Sequence, residues 1–303
     1  MPADEPHHAL HLDLPEVLEV RRLAETPPRP GDPAPIRFRT SDPYLERCWL
    51  GVIGPSASWC LRRLAAELEA HPDGVNVRRE DLARDLGLST SRSLNAPMHR
   101  TLRRLCDFGL ARLAVDSAFE VRTELPPLSP ARVARLSPGA QRAHHELVAE
   151  AVNPLLAAAL SYVRRGWPVL PLKAGEKLPD GRLVPHGLLD ATTDEARVRT
   201  WWAASPSANV GIRTGEGIDV VDLDSEAARR ALFAAAPERL SGPVVVRTAR
   251  GWHLWFASCG LSTRAGVLEG VDVRGRGGYV VAPPSVHPDG WRYQFVDPRS
   301  REL

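Results

Sequence analysis

A chain of 303 residues with 39 basic and 37 acidic residues has a formal net charge of +2, which neither demands nor excludes a nucleic-acid partner. About two domains are expected at this length, each long enough for a core of its own, and with no run of about 18 apolar residues a membrane-spanning helix is excluded. Cys48, Cys60, Cys106 and Cys259 form no C-x-x-C pair and residues 1–11 carry no secretion signal, so a reduced, cytoplasmic chain without a zinc ribbon or disulfide scaffold is expected.

Residues 1–40 contain Pro27, Pro28, Pro30, Pro33 and Pro35 and no sustained periodicity. They predict a mobile tail with at most one short helix across residues 14–23. From residue 41 to 125 the pattern turns helical. Ser56 is placed to cap a helix running to Ala70, with Leu61, Leu64, Ala65 and Leu68 on one face. A turn at residues 71–74 ends it, and residues 75–77 are extended. A second helix over residues 79–86 is stopped by Gly87. A third, over residues 96–108, puts Met98, Leu102 and Leu105 inward. Residues 110–113 and 119–123 then read as a hairpin around Asp116 and Ser117. Three helices followed by a hairpin is the order of a winged helix-turn-helix, and the segment is similar to winged-helix domains. The outward side of the third helix would carry His99, Arg100, Arg103 and Arg104, residue types that reach phosphates and guanine edges of duplex DNA. The same charged face also suits plain solvation or a protein partner, since Asp81, Asp85 and Asp107 dilute it. Residues 126–152 open with a proline-rich break and continue as a short helix, and are expected to link two halves.

From residue 153 the grammar alternates helix and strand. Residues 155–165 form a helix and 166–170 lead into a strand. A further helix over residues 194–203 is entered through Thr192 and Thr193, and residues 209–213 make a buried strand. Asp222 and Asp224 lie two apart on the next strand, so their side chains share a face. Two such carboxylates repel unless a cation lies between them, and a hard divalent ion is suited to them. Equally, Asp224 is in place to cap the helix that follows. His253 falls between Trp252 and Leu254, after a short basic turn (Arg247 to Gly251) that suits phosphate; a structural histidine is the other reading. Asp272 and Arg274 alternate with Val271 and Val273, ahead of the flexible run Gly275-Arg276-Gly277-Gly278.

Taken together, Gly166-Trp167-Pro168-Val169, Lys177-x-Pro179, His186-Gly187, Asp190-Ala191-Thr192-Thr193, Trp201-Trp202 and Asn209-Val210-Gly211-Ile212 resemble the primase-polymerase domain of the archaeo-eukaryotic primase superfamily. So do Val221-Asp222-Leu223-Asp224, Gly251-x-His253-Leu254 and the run from Gly270 to Ser285, over about residues 154–296. The resemblance implies an α+β chain: an N-terminal winged helix-turn-helix, then an α/β primase-polymerase domain at residues 153–303 with an RRM-like catalytic sheet. It also implies a DNA primase or polymerase, a nucleotidyltransferase that uses dNTPs or NTPs on a single-stranded DNA template. Asp222, Asp224 and Asp272 would then hold Mg²⁺ or Mn²⁺ and His253 would meet the incoming nucleotide's phosphates. Arg247, Lys177 and Arg274 are further phosphate candidates, and Ser285 is either a turn hydroxyl or a nucleotide contact.

Many relatives carry a serine where this chain has Gly251, which removes a hydroxyl from the nucleotide grip. No Walker A sequence is present, so a separate helicase is an expected partner and primer extension is expected to outrun initiation. A catalytically inactive DNA-binding replication or regulatory protein is the alternative; the intact set of Asp222, Asp224, His253 and Asp272 weighs against it.

Overall fold

Leu18 and Val20 alternate with Glu19 and Arg21, which is a strand pattern. In the computed structural model, which describes residues 14–24, 27–28, 34–91, 93–235 and 242–296, Val17–Arg22 is strand β1, with Leu18 and Val20 fully buried. Residues 14–23 therefore contain a strand, not a short helix, and Leu14, Leu18 and Val20 are built into a core rather than left as a tail. Pro30, Pro33 and residues 1–13 lie outside the described residues. Strand β2 (Phe38–Arg39) follows, then a helical stretch Leu45–Trp49 that continues into α1 (Leu50–Ile53).

Helix α2 (Pro55–Ala70) starts two residues earlier than expected, with Gly54 at its N-cap instead of Ser56. Proline fits that first position because its missing N–H would find no partner there in any case. Strand β3 (Val75–Arg78), α3 (Arg79–Asp85), α4 (Pro97–Asp107), β4 (Ala111–Leu113) and β5 (Phe119–Val121) come next. The hairpin β4–β5 belongs to a larger sheet of order β3-β1-β5-β4, in which β1 runs antiparallel to β3 and parallel to β5. Leu61, Leu64 and Leu68 of α2 share one core with Leu82, Met98, Leu102, Leu105, Leu18 and Phe119. Each fully buried leucine there contributes about 1.5–3 kcal/mol.

Residues 126–152 are not a linker. After β6 (Glu124–Leu125), which pairs with β2, helices α5 (Pro130–Val133) and α6 (Pro138–Val152) pack Val133 and Ala143 into that same core. Polar contacts fix them: Tyr44 Oη lies 2.7 Å from His144 Nδ1, the Leu128 amide donates to Tyr44 Oη at 2.8 Å, and Trp49 Nε1 donates to the Pro126 carbonyl at 3.2 Å. The chain divides into two compact units, Met1–Val152 and Asn153–Leu303.

The second unit opens with α7 (Pro154–Val163), whose first turn is capped by Asn153 Oδ1 accepting from the Leu155 and Leu156 amides. Strand β7 (Val169–Leu172), α8 (Glu195–Ala204), β8 (Asn209–Arg213), β9 (Ile218–Leu223) and α9 (Glu226–Ala235) follow. Asp194, rather than Thr192 or Thr193, caps α8. The chain continues through β10 (Val244–Arg247), β11 (Trp252–Ala257), β12 (Arg264–Leu268), β13 (Val271–Arg274), β14 (Tyr279–Ala282) and β15 (Gln294–Phe295). An antiparallel six-stranded sheet runs β12-β13-β9-β11-β10-β15, and a smaller one runs β14-β8-β7. Helix α9 packs Ala228, Leu232 and Phe233 on Leu223, Trp252, Leu254 and Val271. Val220, Val246 and Trp255, on the opposite face, join a core with β7, β8, β14, α7 and α8. The molecule is thus a mixed α+β protein. Among the described residues no single helix is long and apolar enough to cross a membrane.

Candidate active site

Strand β9 lies inside the larger sheet, with β13 on one side and β11 on the other. Its alternation sends Val221 and Leu223 towards α9 and leaves Val220 and Asp222 on the other face. Register then does what sequence spacing cannot. Asp272 of β13 lies directly opposite Asp222, and His253 of β11 lies directly opposite it on the other side. Three residues far apart in the chain form one row across three strands. Directly opposed side chains share a face, and a one-residue slip of β11 would turn His253 to the α9 side.

Within the row, His253 Nε2 is 3.5 Å from Asp222 Oδ1. Arg274, two residues beyond Asp272 and so on the same face, brings Nη2 to 2.8 Å from Asp272 Oδ2 and 3.7 Å from Asp222 Oδ2. The other Asp272 oxygen accepts from the Gly266 amide at 2.8 Å. Asp224 lies just beyond the strand, where its amide donates to the Gly270 carbonyl and its side chain is exposed. Burial is the main cause that pushes the Asp222 carboxyl above its ordinary value, with Asp272 adding to it and Arg274 opposing. Asp224 is also raised, by burial first and then by repulsion from Asp222 and Asp272. His253 is pushed down to about 3, chiefly by burial and further by Lys177 and Arg274, so its ring is neutral at physiological pH. Its Nδ1 is buried and has no hydrogen-bond partner among the described residues.

The row opens into a cavity of about 330 Å³ lined by Lys177, Asp222, His253, Arg274, Tyr279 and Tyr293 among others. Lys177 is held there by its backbone, since its carbonyl accepts from Tyr279 Oη at 3.0 Å. Sequence reasoning did not single out Tyr293. It is buried, its ring lies 5.9 Å from that of His253, and its amide donates to the Ser285 carbonyl. No local pattern marks it; only the return of the chain after Ser285 brings it in.

For a metal ion, the donor chemistry fits: three carboxylates on one side of adjacent strand ends offer hard oxygen ligands, and the mutual repulsion of Asp222, Asp224 and Asp272 is what a cation would relieve. Among the described residues no three such groups are closed around a common point. The Arg274 guanidinium lies beside two of them, 2.8 Å from Asp272 Oδ2 and 3.7 Å from Asp222 Oδ2.

Two expected site residues lie elsewhere. Arg247 pairs with Trp252 across β10 and β11, which puts it on the α9 face, away from His253. Its guanidinium lies 4.2 Å from the centroid of the Trp252 ring and reaches the Gly251 carbonyl at 3.4 Å. Ser285 is fully buried, and its hydroxyl accepts from the Val210 amide at 2.8 Å; it ties the chain to β8 and does not line the cavity. Gly251 has a steric reason. A Cβ there would lie 1.8 Å from the Leu223 carbonyl oxygen, so no serine fits this backbone. In the first unit, Arg100, Arg103 and Arg104 are exposed as expected, but His99 is buried, because the inward arc of α4 takes in His99 and Thr101 beside Met98, Leu102 and Leu105.

Residues 159–303 match the family model described as bifunctional DNA primase/polymerase, N-terminal (Prim-Pol). The whole acid–histidine row lies inside that Prim-Pol match, as do Lys177, Arg274 and Tyr293. No curated protein matches the chain.

Proposed function

We propose that the chain is a template-directed nucleotidyltransferase, a DNA primase or polymerase that adds nucleotides from dNTPs or NTPs on a single-stranded DNA template. The observation that carries this reading is the in-register row Asp272–Asp222–His253, opening into a cavity with Lys177 and Arg274 inside the Prim-Pol match. Asp222, Asp224 and Asp272 would hold Mg²⁺ or Mn²⁺, in a two-metal arrangement. A divalent ion bound there supplies positive charge for the attacking 3′-hydroxyl and the leaving pyrophosphate.

The chain's own groups do the rest. Lys177 brings a point charge and Arg274 a planar fork of donors to the triphosphate, the two complementary ways a protein grips phosphate. Neutral His253 keeps one N–H and one lone pair; with a carboxylate at 3.5 Å it donates to a phosphate oxygen without adding a third full positive charge. Tyr279 and Tyr293 wall the cavity in which the triphosphate would lie. The first unit, in this reading, is a winged helix-turn-helix that brings duplex DNA to the enzyme.

Incorporation on single-stranded DNA, with and without an annealed primer, tests the reading in Mg²⁺ and in Mn²⁺ with dNTPs and NTPs separately. Metal-dependent product should fall by at least about 100-fold in Asp222→Ala/Asp224→Ala, on the scale of several kcal/mol expected for loss of a metal site. Product that persists in that variant would sink the assignment of the acids.

A further inference from the structure

A cleft of about 550 Å³ in the first unit is lined by Arg100, Arg103 and Arg104 of α4 together with Asp107, and by Pro55 and Ser56 of α2. Three guanidiniums against one carboxylate leave it positive, in a volume typical of ligand sites. The three arginines are held differently. Arg104 is anchored: it donates to the Val52 carbonyl at 2.9 Å and lies 5.5 Å from the centroid of the Phe108 ring, which Arg132 of α5 also covers at 5.0 Å. Arg103 is only loosely paired, 4.0 Å from Asp107. Arg100 has no hydrogen-bonding or ion-pair partner for its side chain among the described residues.

A helix that reads bases projects its side chains outward into the major groove. On α4 the geometry is different. His99 is buried, and the arginines turn to a concavity that faces the start of α2. A concave site lined by one sign of charge concentrates counter-ions, and the guanidinium fork matches phosphate oxygens. Contacts of that kind position a strand but carry no sequence information. We propose that this cleft holds backbone phosphates of a nucleic-acid strand, so that the first unit is a sequence-independent clamp on DNA. The inference concerns a site in the first unit and does not depend on nucleotidyl transfer in the second.

Fluorescence anisotropy of the full chain with labelled DNA tests it, using duplex and single strands of two unrelated sequences over a range of salt. Arg100→Gln/Arg103→Gln is the variant of choice, since neither side chain supports the fold. Affinity should drop about 10–100-fold and equally for both sequences, and the slope of log K against log salt should flatten by about 1.8 on duplex, the value for two lost phosphate contacts. Asp107→Asn, which removes the one carboxylate, should tighten binding. Unchanged affinity and slope in the double variant would overturn the proposal. A loss confined to one sequence would overturn it in favour of base reading. Loss of binding to a labelled dNTP with DNA binding intact would assign the cleft to free nucleotides and overturn it as well. If incorporation fails in the wild type while DNA binding still responds to Arg100 and Arg103, the clamp stands and only the enzymatic reading is lost.

Discussion

Asp219 and Asp222 sit three residues apart on β9, on opposite faces of one strand and in opposite chemical circumstances. Asp219 is buried and saturated: Ser258 Oγ donates to one oxygen at 3.1 Å, and the amides of Cys259 and Leu261 donate to the other. Asp222 is also largely removed from water, yet what it meets is the His253 ring, the Arg274 guanidinium and a second carboxylate across the strand, with Lys177 in the same cavity. A carboxylate that collects backbone donors stiffens a loop. One that lacks them keeps its oxygens free of backbone donors and available to a ligand. Composition and spacing do not separate the two; the hydrogen bonds do.

The largest expected disturbance of the backbone bears on how tightly this site is built. Gly251→Ala forces a Cβ against the Leu223 carbonyl, at the end of the strand that carries Asp222. Because the colliding atom is backbone, the strands must part, and incorporation should fall about 100-fold even if circular dichroism shows a folded chain. Activity within a few-fold of wild type would mean the row tolerates displacement.

Next come the two aspartates themselves, compared by thermal unfolding and activity. Asp219→Asn should destabilise by about 1–3 kcal/mol, since an amide cannot accept from every donor there; that is a fall in Tm of roughly 2–4 °C per kcal/mol. Asp222→Asn should leave Tm unchanged or raise it while abolishing activity. The sign follows from the raised carboxyl of Asp222: a folded-state pKa above the unfolded value means that ionisation costs stability as pH rises past the ordinary 3.8, and asparagine removes that cost. Equal losses of Tm in both variants would erase the distinction between the two ends of β9.

Ser285→Ala is the sharper control for the cavity. It leaves the buried Val210 amide unpaired and should cost about 1–3 kcal/mol of stability with no change in KM for the nucleotide. A raised KM would return Ser285 to the nucleotide site. The smallest effect belongs to Arg247→Gln, where loss of the ring contact with Trp252 should cost about 0.5–2 kcal/mol and leave KM alone.

The sequence announced the acids and the histidine, because alternation about Asp222, His253 and Asp272 is visible residue by residue. It did not announce which strand lies beside which. The order β13-β9-β11 joins strands that are not neighbours in the chain, and the shared row exists only through it. Arg247 was misplaced for that reason, since its face is set by pairing with Trp252. Of the two readings open for Ser285, the hydroxyl bonded within the chain is the one the structure takes, whereas His99 lies inside because a wide apolar arc on α4 draws it in. In the first unit the three helices and the hairpin were legible from periodicity and glycine stops. Strand β1 was not: prolines at residues 27–35 outweighed the alternation of Leu18 and Val20 just before them. Nor was the packing of α6, whose anchors Tyr44 and His144 lie 100 residues apart.

The placement of β1 also sets the timetable on which this half takes shape. Its neighbours in the sheet are β3 and β5, and Val20 lies beside Phe119. At a synthesis rate of about 5–20 residues per second, the first strand made waits roughly 5–20 seconds for its parallel partner to leave the ribosome. Until then the apolar side chains of Leu18 and Val20 lie open to whatever else is nearby. A fragment beginning at residue 41 would lack β1 and could not close the sheet, and one ending at residue 125 would lack the helix that seals it, so a dissection of the chain should keep both and cut after residue 152.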